Sequence, residues 1–444
     1  MLRRTLHKVL AAVLFLSAGT LVSAQDGAYG SFTPYSIFGV GDLAMPGSAY
    51  QRSMGGVGLA SRNNRFLNTL NPAAVTARDT MSVMMDFSVF NDNRLFRQRY
   101  EGSSLSSANN LTNVGLIAFS LPVWRKISVM GGITPYSSVG YKYKIQETDP
   151  AVISAAGSNV SYTDSGQGSL YKLFFGAGMP VGKRLSVGAQ ADYYFGKIEK
   201  KFVQDFARTG YNEIQETYTM NLHALSGKFG LQYEVPLPGR AKLGLGATYA
   251  LAANMRGMVR HARDAVGAAE TVTLVSDTLH LDGSKVQLSG ELGLGVSFSY
   301  ADKFRAEFNY LRSDWSGSGM NSVEGFANPD AKLPFRAGVR NTFRLGMEYV
   351  PNRNDIRYYY KKWAYRAGLY YSDEYYAVAG HGVATAGISF GATLPVFRWY
   401  NGLSVAVDLG QRGGLQGGLI RERYIRLSFG VNLFDIWFQK PRYE

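Results

Sequence analysis

The feature that most constrains this chain is a two-residue alternation repeated along most of its length. The stretch RLSFGVNLF at 426–434 sets Leu427, Phe429, Val431 and Leu433 on one parity and Arg426, Ser428, Gly430 and Asn432 on the other. That is the mark of a strand with one apolar and one polar face. LSVGAQADYYF (185–195), VQLSGELGLGVSFSY (286–300), KLGLGATYAL (242–251), FRAEFNY (304–310), RNTFRLGMEY (340–349), TAGISFGATL (385–394) and LSVAVDLG (403–410) repeat it. Several runs reach about ten residues, enough to cross a hydrocarbon layer when tilted. No segment beyond the N-terminus approaches 18 consecutive apolar residues, so a membrane crossing by this chain has to use strands.

The question is which face looks inward. A soluble sandwich would have to bury Leu, Phe and Tyr from a dozen strands and leave glycine-rich polar faces in water. A lipid-facing barrel inverts this, with apolar residues toward hydrocarbon and small polar residues toward the lumen. The 51 glycines, 13% aromatics and only 18% charged residues favour inversion. Closure also removes the sheet edges that lipid cannot satisfy.

The turns give the strand count. LPVWRKISV (121–129), MPVGKRLSV (179–187), PLPGRAKLGLG (236–246), YADKFRAEF (300–308) and LPVFRWYNGLSV (394–405) share one plan: strand end, tight basic or Gly/Asn turn, strand start. YVPNRNDIRYYYKKWAYRAG (349–368) is a longer sixth version. Long polar stretches near 91–110, 144–167, 198–217, 252–283, 312–333, 372–381 and 410–420 alternate with them and are expected to be loops. Six short turns on one side and seven long connections on the other make an all-β, 14-stranded antiparallel transmembrane barrel over residues 81–444. YYYKKWAY (358–365), VFRWY (396–400) and IWFQKPRY (436–443) then read as a periplasmic aromatic girdle, and DEYYAV (373–378) as the outer belt.

Two segments stand apart. MLRRTLHK followed by VLAAVLFLSAGTLV and VSA reads as a Sec signal peptide, residues 1–24, with cleavage after Ala24. Its removal takes Arg3, Arg4 and Lys8 from the formal +14 and leaves +11. Residues 25–80 show little alternation and many Gly, Asn and Ser. Fourteen strands enclose a lumen too wide for wall side chains alone, so this segment is placed inside it as a plug.

RSMGGVGLAS (52–61) followed by NPAAV (71–75) resembles the hatch of the FadL-type long-chain fatty acid transporter family, with Gly55, Gly56 and Gly58 and then Asn71, Pro72 and Ala73 as its motif. PYSIFGVGDL (34–43) and YIRLSFGVNLFDIWF (424–438) look like members from Bacteroidota. The resemblance implies a hatch in the lumen and sideways release of hydrophobic compounds through a gap at an inward kink in the third strand. That strand, 127–145, contains Gly131, Gly132 and Pro135, and a proline removes a ladder donor while glycine permits a bulge. The plain alternative is a bulge that shapes the barrel. The resemblance also covers Bacteroidota members that serve as barrel subunits of machines for protein secretion and barrel assembly.

Inward parity collects Arg336, Arg340, Arg344 and Glu348 on one strand, with Arg366, Glu307 and Arg305 as facing neighbours, and Asp408 and Arg426 on the last two strands. The plain reading is a set of lumenal ion pairs seating the plug; the functional one is a cationic patch for a carboxylate or phosphate headgroup. GGVGLA lacks the βαβ setting and acidic partner of a dinucleotide fingerprint. Absent cysteine removes thiolate sites, disulfides and a lipobox, and His223, His261, His280 and His381 have no metal-ligand spacing. No enzyme, cofactor or metal is expected, and no nucleic acid either. The expected surroundings are outer-membrane lipid and lipopolysaccharide. A hydrophobic ligand and other outer-membrane or periplasmic proteins are the two candidate partners, for a passive channel and for a complex subunit respectively.

Overall fold

The computed structural model describes residues 30–78, 82–100, 103–124, 126–207, 211–267, 270–327, 335–378, 380–396, 402–417 and 419–436. The segment assigned as a signal peptide lies outside them. Fourteen antiparallel strands close into a barrel. They are β1 (Ser82–Tyr100), β2 (Ser103–Trp124), β3 (Ile127–Gln146), β4 (Val160–Val181), β5 (Leu185–Phe206), β6 (Glu213–Pro236) and β7 (Ala241–Ala250 with Ala253–Val266). After these come β8 (Thr271–Leu288 with Glu291–Tyr300), β9 (Phe304–Asp314), β10 (Phe335–Ala337 with Val339–Tyr349), β11 (Ala364–Val378), β12 (His381–Pro395), β13 (Gly402–Arg412) and β14 (Arg421–Ile436). The barrel closes by β14 pairing with β1 from Arg421↔Arg97 to Ile436↔Ser82. Among the described residues no helix is long and apolar enough to cross a membrane.

The alternation resolves as inversion. On β14, Phe429, Val431 and Leu433 are 38–47% exposed on the outer face, whereas Ser428 and Asn432 are 2% exposed inside. The long polar stretches are a correction. In 91–110, 198–217, 252–283 and 372–381 most of the described residues are not loop; the strands run on as paired ribbons. Beyond the hydrocarbon a strand no longer needs an apolar face, so a polar sequence with β-branched and aromatic residues still pairs. The stretch 144–167 carries a short helix, Pro150–Ala156, started by Asp149 accepting from Ala151 N and ended by Gly157 at φ 63°.

Residues 30–78 run through the lumen. Short elements hold them: a 3₁₀ turn Pro34–Ile37, a two-residue strand Asp42–Leu43, a helical turn Ala49–Arg52 and a 3₁₀ turn Pro72–Ala77. The wall makes room with glycines. A Cβ at Gly188 or Gly230 would strike Pro72, at Gly246 the Leu59 carbonyl, and at Gly368 the backbone of Gly55. Gly178, Gly188 and Gly230 are cross-strand neighbours, as are Gly346 and Gly368, so the clearances form patches against which the plug backbone lies. Glycine therefore lines the lumen here because another chain segment lies against it.

Candidate functional site

The plug motif is held by side-chain-to-backbone hydrogen bonds from the wall. Asn71 accepts from Ala73 N at 3.0 Å, capping the 3₁₀ turn, and donates to the carbonyls of Leu59 (2.8 Å) and Leu231 (3.2 Å). One side chain thus closes two plug turns and ties them to β6. Gly55 and Gly56 follow the helical turn at φ 69° and 78°. Gly55 N donates to Ser389 Oγ (2.8 Å), and the Gly56 carbonyl accepts from Arg344 (3.0 Å). Gly58 N reaches Asn309 at 3.0 Å, while Ala60 N and Ser61 N take the two oxygens of Glu307 at 2.8 and 3.1 Å. Residues 55–61, which no regular element stabilises, find partners for most of their N–H groups on β9 and β12 or in the preceding turn, and for their carbonyls on Arg344, Asn68, Asn71 and Gln232.

Two clusters of lumenal charge hold the plug. In one, Glu348 is paired with Arg366 at 2.9 Å, with Arg305 and Arg353 each at 3.9 Å. The Arg366 guanidinium also lies over Tyr50 of the plug at 4.4 Å. In the other, Asp42 of the plug bridges Arg94 (3.1 Å) and Arg412 (2.7 Å). Arg94 continues to Asp92 and Glu422, Arg412 to Glu374, and Arg426 to Asp92 at 2.8 Å. Arg340 donates to Ser372, and Asp408 accepts from Tyr370 OH at 2.6 Å.

Arg336 is a correction. The register of β10 with β11 steps by one between Ala337↔Tyr376 and Thr342↔Ser372, so Ala337 is buried and Arg336 is exposed. DEYYAV is another: β11 bulges between Asp373 and Ala377, and Tyr375 turns inward to donate to the carbonyls of Phe38 (3.0 Å) and Gly41 (2.8 Å). Tyr358, Tyr359, Tyr360 and Tyr365 remain exposed beside a short turn, as a girdle requires. Residues 397–401 and 437–444 lie outside the described residues. Parity alone missed Asp42, Asp92, Arg94, Glu374, Arg412 and Glu422. NDNRLF, 91–96, is polar on both sides in its first half, so its inward face carries no contrast.

The wall changes at β3. The β2–β3 ladder runs from Trp124↔Ile127 to Ile117↔Ile133 and stops there, between Gly132 and Pro135. Above it β3 pairs onward with β4, and β2 with β1. Residues 137–141 are all buried, on both parities, so this part of β3 is covered on both faces. Its freed edge is taken by the plug: Asp42 and Leu43 pair with Ser138 and Ser137, Thr33 N donates to Gly140 O, and Ala44 N to Tyr136 O. Gly131, Gly132 and Pro135 thus stand at a split in the wall that the plug stops from within.

Two interior cavities measure about 80 and 130 Å³. The smaller is ringed by Asp42, Asp92, Arg94, Asp408, Arg412 and Arg426; Arg340 and Arg344 line both, and the larger adds Leu59, Leu116, Phe174, Leu311 and Trp315 beside Lys172, Asp192 and Glu291. Far larger is a concavity of about 1210 Å³ bordered by the outward side chains of Phe308, Phe343, Leu369, Ile388, Leu409 and Ile425. Gly387 and Gly410 lie side by side at its floor, flanked by Tyr370 and Tyr424 on the adjoining strands. A Cβ on either glycine would meet a tyrosine ring, and the two phenols meet at 2.7 Å. Without inward side chains from β12 and β13 at this row, the two tyrosine rings lie directly against the wall backbone. Beside the concavity, Asn91 binds Asn110 (3.0 Å) and Thr112 (2.9 Å) on the outer face, above Phe87 and Met85.

Several solved structures share the architecture. The Pseudomonas putida toluene transporter TodX is 14% identical with TM-score 0.58, covering 91% of this chain and 100% of that one. The Ralstonia pickettii toluene transporter TbuX is 14% identical with TM-score 0.53, covering 87% and 98%. A Pseudomonas aeruginosa FadL homologue is 12% identical with TM-score 0.51, covering 93% and 100%. At these identities the likeness establishes a FadL-like barrel fold. No curated protein sequence matches the chain. A family model described as BamG matches residues 1–444.

Proposed function

The chain belongs to the BamG family, and we propose that it serves as an accessory barrel subunit of an outer-membrane protein assembly or secretion complex. In this reading residues 1–24 direct export and are removed after Ala24, residues 25–80 plug the lumen permanently, and residues 81–444 are the barrel. The observation that carries it is where the apolar space lies. The two interior cavities found among the described residues fall well below the roughly 300–1,000 Å³ of a ligand pocket; the smaller is ringed by ion pairs, and the larger mixes apolar and charged side chains. The large apolar concavity faces outward, bordered by an amide cluster. An outward apolar concavity of this kind suits the convex side of a second membrane-embedded protein, and outward amides find partners there that lipid cannot offer. Affinity purification of the tagged chain from detergent-solubilised membranes tests it. Stoichiometric partners that survive washing are expected; a chain that always purifies alone overturns it.

The split between β2 and β3 favours a second reading, a passive channel releasing hydrophobic compounds sideways. Cysteines at Leu43 and Ser137, directly paired across plug and wall, would lock that split. Uptake of a hydrophobic solute that stops on oxidation of this pair and resumes on reduction supports the channel. Uptake indifferent to the lock rejects it.

A further inference from the structure

At the end of the barrel carrying the short turns, the periplasmic end in such proteins, lies a basin of about 400 Å³. Four separate parts of the chain build it: the plug, the β6–β7 turn, the β8–β9 turn and the β10–β11 connection. Among the described residues they contribute six cations, Arg62, Arg65, Arg78, Lys242, Arg305 and Arg353, against two carboxylates, Glu234 and Asp302. Glu234 is already engaged by Lys242 at 3.1 Å. Arg305 and Arg353 share Glu348 only at 3.9 Å, because Arg366 holds it at 2.9 Å. Arg62 binds the hydroxyls of Ser186 (2.7 Å) and Thr76 (3.0 Å).

Arg78 is the most telling member. It donates to the carbonyls of Ser82 (2.8 Å) and Val75 (3.3 Å), while its Nη2 is buried with no hydrogen-bond partner. Burial pulls its pKa down to about 10. A guanidinium left this way costs free energy until an anion meets it. Among the described residues Ala77 is the one apolar member of the lining, so the basin does not suit hydrocarbon cargo. Its size and its cations spread over four stretches of chain exceed what one small anion can engage.

We infer that this basin binds a run of carboxylates, an acidic segment of a periplasmic partner protein, and that occupancy ties the plug to the barrel rim. The inference rests on the subunit reading above. The test uses the full chain purified in detergent and a fluorescent hexaglutamate peptide, followed by anisotropy. Binding is expected to saturate, to weaken as salt rises, and to fall about tenfold in the double variant Lys242→Glu with Arg353→Glu. Lys242 is exposed at the start of β7 and Arg353 is half-buried on the β10–β11 connection, so retained heat-modifiable migration is required to report an intact barrel. Arg78→Gln, a milder change at the plug, should weaken binding severalfold. Hexaglutamine binding as well as hexaglutamate overturns the inference, as does indifference to all three substitutions. Inorganic phosphate displacing the peptide at equal concentration reduces the basin to a small-anion site and also overturns it. Partners that co-purify with a chain unable to bind hexaglutamate defeat the basin alone. Hexaglutamate binding by a chain that always purifies alone leaves the basin standing and defeats the subunit reading.

Discussion

Two seams in this barrel look alike in sequence and behave differently. At β14–β1 the ladder is unbroken over its whole length, and Asp92–Arg426 crosses it inside. At β2–β3 the ladder stops at Ile117↔Ile133, and the plug supplies the missing partners. The first seam is closed by wall residues and recruits the plug through charge. The second is closed by the plug itself, through backbone hydrogen bonds. The difference teaches that the plug is both a filler and a structural strand. Removing its anchor at the charged seam should loosen the split seam as well, since one short stretch, Asp42–Ala44, serves both.

The largest expected effect tests that coupling. Asp42→Leu leaves Arg94 and Arg412 without their plug carboxylate, and breaking such a buried pair costs about 3–5 kcal/mol. The folded band in a heat-modifiability assay should be lost at markedly lower temperature, and protease should cut the β2–β3 region first. Protease resistance there equal to wild type would separate the two seams. A smaller effect is expected from Gly410→Leu, which drives a side chain into the Tyr424 ring at the floor of the outward concavity. Overpacking of this kind costs about 1–3 kcal/mol, and co-purified partners should drop while the barrel still folds. Smaller again is Asn71→Ala, the loss of one cap and two plug tethers, at about 1 kcal/mol or slightly more. Its measure is hydrogen exchange, faster at 72–77 with the β14–β1 seam unchanged. The smallest is Arg336→Gln. The side chain is exposed rather than lumenal, so stability should stay within about 0.5 kcal/mol of wild type. A drop several times larger would return Arg336 to the lumenal cluster.

The legible part of the candidate site is the part with contrast. Arg344, Glu348, Asp408 and Arg426 sit among apolar neighbours of opposite parity, so their inward direction could be read directly. Arg336 was misread because Gly338 interrupts the strand, and a one-residue step reverses every side chain beyond it. Tyr375 and Tyr376 were assigned to a lipid-facing belt for the same reason, a bulge between Asp373 and Ala377. The ribbons at 198–206 and 271–283 fall in stretches whose polarity suggests loops, because polarity by itself does not separate an irregular segment from a strand beyond the hydrocarbon.

The sequence by itself determined the period, the inversion, the six short turns and therefore fourteen strands. Each of these depends on residues two apart or on a turn of a few residues. Only the tertiary structure decided which inward side chains meet, where ladders stop, how Asp42 spans two arginines and why Gly387 and Gly410 adjoin. Those relations join residues as much as 370 positions apart, as Asp42 and Arg412 are. They are fixed by the stagger of a closed barrel, which no local pattern encodes.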